Sequence, residues 1–313
     1  MVRNVETHPH MPYTQDALNR FKCIRQANHH AEAFHLYENM RTHREDFVLR
    51  VSHEALKALE GFGTRLIVEG INPDQYSVML DQRIGPLIEL LNFAPPRDYS
   101  LNRSIFSRMQ IDHHFETYEH AERVESYAAK MAKYADLHLS AGNRLELAAK
   151  MHDLGKVVVP AEELIDKPTR LEGDEDAIMH IHQQIGYLML KSIHAYNMVA
   201  EIMRYTHVEN GYPGNIFAQD TPPMSHYVIV ADTFDACLCF RPYRMGHRMR
   251  MIDIFEEVAV RHTKPKHPLN ILIAAALAYE LHVDDAKRIL RSVYSSDNDA
   301  RIIDVEFARL LEI

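Results

Sequence analysis

The sequence predicts a mainly α-helical protein: a helical bundle around a metal centre, preceded by a smaller, mostly helical N-terminal domain. Three observations lead there. Apolar residues recur at helical spacing through most of the 313 residues. Almost no stretch alternates apolar and polar residues as a half-buried strand would. Histidines and carboxylates recur near the ends, or on the apolar faces, of separate helical segments.

The elements follow in order. Val51 to Leu59 and Tyr76 to Leu91 carry apolar residues at helical spacing, with Leu56 and Leu59 on one face. Between them, Leu66 to Val68 reads as one short extended piece, closed by the turn signal Gly70-Ile71-Asn72-Pro73. The double proline in Pro95-Pro96-Arg97-Asp98 is the strongest break and sets the expected boundary between domains 1–97 and 98–313. After it, helices are expected over Phe115 to Leu137, Arg144 to Met151, Asp176 to Ile193 and Ala195 to Tyr205. The glycine-rich turn Asn210-Gly211-Tyr212-Pro213-Gly214 then interrupts the pattern. Further helices are expected over Ser225 to Cys239, Asp253 to Arg261, Asn270 to Leu281, Asp284 to Val293 and Asp304 to Leu311. No internal repeat or low-complexity segment is visible.

Composition narrows the function classes. Hydrophobic residues at 46% and charged residues at 25% are ordinary for a soluble globular chain. A net charge of -9 argues against a groove for a nucleic-acid duplex. It permits an anionic small substrate, because bound cations reverse the local field. The longest apolar run, near Ile271 to Tyr279, is too short to span a bilayer, and no signal-peptide pattern opens the sequence. The cysteines are Cys23, Cys237 and Cys239, the last two too close for an ordinary bridge, so a reducing, cytoplasmic setting is expected. The 21 histidines are an excess, though many, such as His8, His10, His29 and His30, lie in polar surroundings.

The chemistry concentrates in Met151-His152-Asp153-Leu154-Gly155-Lys156. An imidazole beside a carboxylate can hold one ion while the second carboxylate oxygen reaches another. The glycine is expected to let the chain turn sharply, returning the Lys156 ammonium to the same pocket. Glu116 and His120 are four apart on one helical face. His182 lies four residues before Gly186, His207 closes a helix before the glycine turn, and Asp232 sits in Val230-Ala231-Asp232-Thr233-Phe234-Asp235. Imidazole and carboxylate together suit iron, manganese, zinc or nickel rather than calcium. The lack of nearby thiolates argues against a structural zinc cluster. Read one at a time, each of these residues is also compatible with a solvated surface group or a helix-end cap; order and spacing carry the reading.

With these residues in hand, the sequence resembles the HD superfamily of metal-dependent phosphohydrolases and, within it, the HD-GYP family. The resemblance covers about Phe115 to Val260. It is carried by Glu116-x-x-x-His120-x-x-Arg123-Val124, by Ala148 to Pro160 around the His-Asp pair, and by Leu164-Ile165-Asp166-Lys167-Pro168 with Glu175. It continues through His182-x-x-x-Gly186, His207, Gly211-Tyr212-Pro213, Val230 to Ala236 and Arg241-Pro242-Tyr243-Arg244. The resemblance implies a bundle around two divalent ions, iron or manganese, or three where a further ligand is present. It implies an enzyme that hydrolyses a cyclic dinucleotide, cyclic di-GMP above all, with water activated by the metals. His120, His152, Asp153 and Asp232 would hold one ion. His182 and His207 would hold the second, with Asp153 bridging. Glu116 would match the ligand of a third. Lys156 would contact the scissile phosphate, Tyr212 the nucleotide, and Arg241 its phosphates. Asp235 is a candidate to orient an imidazole.

The sequence also departs from the family pattern. Where two consecutive histidines are usual, Tyr205-Thr206-His207-Val208-Glu209 has one, and the loop before Tyr212-Pro213 is shortened to Asn210-Gly211. Two alternatives follow: a weak or inactive cyclic-dinucleotide receptor, and a diiron oxygenase of the same superfamily. Residues 1–97 are expected to form a regulatory or dimerisation domain, with a homodimer or a signalling protein as the partner.

Overall fold

The computed structural model describes residues 44–93, 99–206, 223–238, 249–261 and 268–311. Among these residues the regular structure is helical, and no strand occurs. Helix α1 (Arg44–Leu59) buries Phe47, Val48, Val51, Ser52, Ala55 and Leu59, a stripe at three- and four-residue spacing. Helix α2 (Phe62–Val68) replaces the short extended piece expected at Leu66 to Val68. That segment is short enough to fit either period, and burial of Phe62, Gly63 and Leu66 along one helical face decides it. Helix α3 (Tyr76–Phe93) continues through Pro86. Near its end, the side-chain amide of Asn92 donates to the Ser192 carbonyl (2.8 Å) and its oxygen accepts the His194 N–H (2.8 Å).

Helix α4 (Tyr99–His113) was not expected from the sequence. Its apolar residues do follow a helical pattern, since Leu101, Ile105, Phe106 and Met109 are all buried. The preceding double proline and interspersed polar residues conceal the pattern. One of those polar residues, Asn102, is itself buried and donates weakly to the Leu91 carbonyl (3.4 Å). Helix α4 packs on α1, where the Ser52 hydroxyl donates to the Ile105 carbonyl (3.0 Å). Residues 94–98, with the double proline, lie outside the described residues; helices on both sides of them contribute to one hydrophobic core running from Phe47 to Leu310.

The site is built on the next five helices: α5 (Phe115–Tyr134), α6 (Leu139–Met151), α7 (Asp174–Lys191), α8 (Asn197–Met203) and α9 (Pro223–Leu238). Helix α5 packs on both α6 and α9, and α8 packs on α6 and α7. A tight 3-10 turn, Leu154–Val158, follows α6 and lies along α7. After α10 (Met251–Arg261), helix α11 (Leu269–Ala278) is buried along every residue from Ile271 to Ala278, which explains why it lacks a polar face. Helices α12 (Val283–Val293) and α13 (Asp297–Leu311) close the chain against it.

Helices α5 and α6 are also joined by a buried cation. The Lys150 side chain is fully buried, with its ammonium 3.8 Å from the Tyr118 ring centroid and paired with the Glu122 carboxylate. Burial lowers the Lys150 pKa against the opposing pull of Glu122. Glu122→Ala would leave the ammonium without its carboxylate and is expected to cost about 2 kcal/mol, discounted because Glu122 itself is half-exposed. Lys150→Met, which removes the charge and keeps the stem, is expected to be roughly neutral. Denaturant unfolding of the two variants checks this ordering; equal effects would refute it.

Candidate metal centre

His120 lies one turn into α5, whose first turn is capped by the His114 imidazole accepting the Thr117 N–H (3.2 Å). His152 caps the C-terminus of α6, and Asp153 opens the turn that follows. His182 lies on α7, and Asp232 and Asp235 on α9. Four separate helical segments therefore deliver these groups to one place. His152, Asp153 and His182 are buried, and the His120 side chain is nearly so.

The three imidazoles share one orientation. His152 donates through Nδ1–H to the Ala149 carbonyl (2.7 Å), and His182 through Nδ1–H to the Met179 carbonyl (2.5 Å). A carbonyl oxygen only accepts, so Nδ1 carries the proton in both rings. His120 donates through Nδ1–H to Asp235 Oδ2 (2.6 Å). In the neutral tautomer each ring thus turns a bare Nε2 lone pair toward the other members of the group.

Those Nε2 atoms face carboxylate oxygens. Asp153 Oδ2 is 3.6 Å from His120 Nε2 and 3.4 Å from His152 Nε2. Asp153 Oδ1, on the other side of the same carboxylate, is 3.4 Å from His182 Nε2. Asp232 Oδ1 is 3.1 Å from His120 Nε2 and 3.8 Å from His152 Nε2. Lone pairs facing lone pairs at these separations require a positive charge between them, either a proton or a metal cation. His120, His152 and Asp153 offer ligand atoms within 4.8 Å of one another and form a site able to hold a metal ion.

The HD domain family matches residues 104–262 of this chain. The chain belongs to the HD-domain family. Its relatives place it with the HD-GYP type. It is 34% identical over 133 residues to the cyclic di-GMP phosphodiesterase response regulator RpfG of Xanthomonas campestris, covering 41% of this chain and 35% of that protein. It is 29% identical over 168 residues to a 3'3'-cGAMP-specific phosphodiesterase of Vibrio cholerae, covering 52% of this chain and 31% of the relative. It is 29% identical over 192 residues to a cyclic di-GMP phosphodiesterase of Thermotoga maritima, covering 59% of this chain and 50% of the relative. The match spans 31% to 50% of the length of these relatives.

In this HD domain the remaining expected residues fall in three places. Lys156 points back at the centre, its ammonium bonded to Asp153 Oδ2. Glu116 lies at the margin, with a 60% exposed side chain that accepts from Arg123 (2.9 Å). Through Arg123, which also binds Asp235, Glu116 connects to the partner of His120. His207, Tyr212 and Arg241 lie outside the described residues.

The electrostatics follow from this packing. Burial opposes ionisation of Asp153, but Lys156, His152 and His182 outweigh it and hold the carboxyl well below the usual range. Burial likewise opposes a charge on His120, yet hydrogen bonds to Asp232 and Asp235 dominate and raise its pKa to about 9. Burial of Asp235 is outweighed by His120 and Arg123, which keep it ionised.

The sequence did not disclose what two residues of the HD domain do. The first is Arg123, which stands in the Glu116-x-x-x-His120-x-x-Arg123 pattern without an assigned role: its Nε donates to Asp235 Oδ1 (2.7 Å), locking the carboxylate that orients His120. The second is Gly155. It was expected to permit a sharp turn, but positive φ among the described glycines occurs only at Gly61, Gly70 and Gly173. Gly155 is needed for close approach: a Cβ there would lie 1.7 Å from the His182 carbonyl oxygen and 2.6 Å from the Gly186 nitrogen.

Asp235→Asn would remove the charge that fixes the His120 ring. Metal affinity is expected to fall about 10- to 100-fold, with secondary structure retained. Competition with a chromogenic chelator measures it; unchanged affinity would remove Asp235 from the support of the centre.

Proposed function

We propose that this HD domain holds two divalent metal ions, iron or manganese, and hydrolyses a phosphodiester bond of a cyclic dinucleotide, cyclic di-GMP in the first instance. The observation that carries the reading is the division of Asp153. One of its oxygens faces His120 and His152, with Asp232 beside them, and the other faces His182. A carboxylate presented this way suits a bridge between two cations, with His120, His152 and Asp232 on one side and His182 on the other. His207 supplies the second imidazole on the His182 side, and Glu116 is the ligand available to a third ion. The donor set, imidazole nitrogen and carboxylate oxygen without thiolate, fits iron and manganese.

The ions, when bound, supply Lewis-acid charge against the phosphoryl oxygens and an activated water. The protein supplies the rest. Asp153 stays ionised at neutral pH because Lys156 and two imidazoles favour its charge. The Nδ1–H bonds of His120, His152 and His182 fix the rings so that Nε2 faces inward without reorganisation. Lys156, 20% exposed, places a positive charge between buried Asp153 and the accessible side of the centre, where a substrate phosphate oxygen can meet it. Tyr212 offers an aromatic face to a base, and Arg241 a forked donor to a phosphate. Relatives named for cyclic di-GMP and 3'3'-cGAMP support the substrate class. Residues 1–97 act as a regulatory or dimerisation segment in this reading, and the setting is the cytoplasm.

A specific observation favours one second reading. The sequence has one imidazole, at His207, where the family pattern has two, so a receptor that binds cyclic dinucleotide with little turnover is the alternative. The test is metal analysis of the purified chain followed by incubation with cyclic di-GMP and 3'3'-cGAMP. Two ions per chain and hydrolysis that is abolished by chelation and restored by manganese or ferrous iron support the proposal. Tight binding without product supports the receptor, and neither binding nor turnover overturns both.

A further inference from the structure

A cavity of about 830 Å³ lies between α4, the Ser140 to Leu147 stretch of α6 and the start of α8. Its floor is apolar, formed by Leu147, Val199 and the half-exposed Met198. Its polar wall carries two guanidinium groups, Arg103 and Arg144, with Glu146 as the acid among its described lining residues. Arg103 commits one nitrogen to Glu125 (2.7 Å). Arg144 is half-buried and makes no hydrogen bond or ion pair with the described residues. A guanidinium held against an apolar floor without a carboxylate partner is a ready anion site, because its fork matches a phosphate. The volume falls in the range of small-molecule pockets, about 300–1,000 Å³.

We infer that this cavity binds a phosphate monoester carried on a flat apolar body of mononucleotide size, with Arg144 as the phosphate ligand and Leu147, Met198 and Val199 beneath the body. The site is separate from the hydrolytic reading. Arg144, its phosphate ligand, is eight residues before His152, about 12 Å along a helix of regular rise, and Leu147, the floor residue nearest in the chain, is five before it, about 7 Å. None of its lining residues belongs to the His-Asp cluster. Helix α6 nevertheless runs from the cavity to His152 without a break. An occupant would therefore press on the element that ends in the metal-binding pair.

The test uses the full chain in excess chelator, with GMP bearing a fluorescent methylanthraniloyl group on the ribose as probe. Saturable binding is expected without metal, with unlabelled GMP competing at least about tenfold better than guanosine, since the phosphate is the recognised group. Arg144→Gln is expected to weaken binding about tenfold or more. Met198→Trp, at a 57% exposed position of the floor, should weaken it by filling the space of the apolar body. Helicity and unfolding midpoint are read for both variants, so that either one alone suffices if the other is destabilised. Absence of saturable binding, binding that needs metal, equal competition by guanosine, or full affinity in a folded Arg144→Gln or Met198→Trp chain would each overturn the inference.

Discussion

Gly155→Ala is expected to disrupt the centre more than an added methyl at any other described glycine. The added Cβ would stand 1.7 Å from the His182 carbonyl oxygen and 2.6 Å from both the His182 carbonyl carbon and the Gly186 nitrogen. All three are backbone atoms, so no side-chain rotation relieves the clash. Helix α7 and the turn after α6 would have to separate by more than about 1 Å. That movement would carry His182 away from Asp153, which it now meets at 3.4 Å. The cost is expected to be about 3 kcal/mol or more, lowering the thermal midpoint by at least roughly 6 °C. Metal uptake should fall in parallel. Gly186→Ala makes an internal comparison: its Cβ would meet the Gly155 nitrogen at 2.9 Å and the flexible end of Met203 at 3.0 Å, so the effect should be smaller. Wild-type stability and metal content in Gly155→Ala would show that the two segments do not touch as described.

Asp153→Asn is expected to have the largest effect on chemistry. The substitution keeps the side-chain volume, but it removes a buried negative charge and turns one of two acceptor oxygens into a donor. The carboxylate can then no longer serve His120 and His152 on one edge and His182 on the other. With the proposed pair of ions, bound metal should drop from two per chain to one or none. Turnover of the proposed substrate, cyclic di-GMP, should fall at least about 10³-fold, equivalent to about 4 kcal/mol of transition-state stabilisation. Elemental analysis and steady-state rates read the two effects separately. Metal retained in full with activity lost would assign Asp153 to substrate rather than to the ions. Both retained would remove it from the centre.

The sequence made the helices legible wherever a long apolar stripe met a polar face, as in α5, α7 and α12. Reading failed where the local pattern was short or masked. Residues 66–68 fit two periods, and only burial against neighbouring helices chose between them. Helix α4 follows a double proline and carries polar residues that are buried, Asn102 and Gln110 among them, so a polarity pattern alone understated it. Gly155 shows a different kind of limit. The sequence marks it as special, but whether a glycine supplies a turn or a close approach depends on what lies across from it. Here that is the backbone of α7 at His182 and Gly186, some thirty residues away in the chain.

What the sequence alone determined is the inventory: a helical chain, the HD-type order of imidazoles and carboxylates, and a donor set suited to a transition metal such as iron, manganese, zinc or nickel rather than calcium. These rest on residue identity and periodicity, which are properties of the chain before it folds. The tertiary structure decided the arrangement. It gave each ring its proton at Nδ1 through Ala149, Met179 and Asp235, assigned Arg123 to hold Asp235, and turned the two oxygens of Asp153 toward different histidines. Those assignments depend on backbone carbonyls and on helices brought together from distant parts of the chain, and hydrogen-bond direction exists only once the partners are in place.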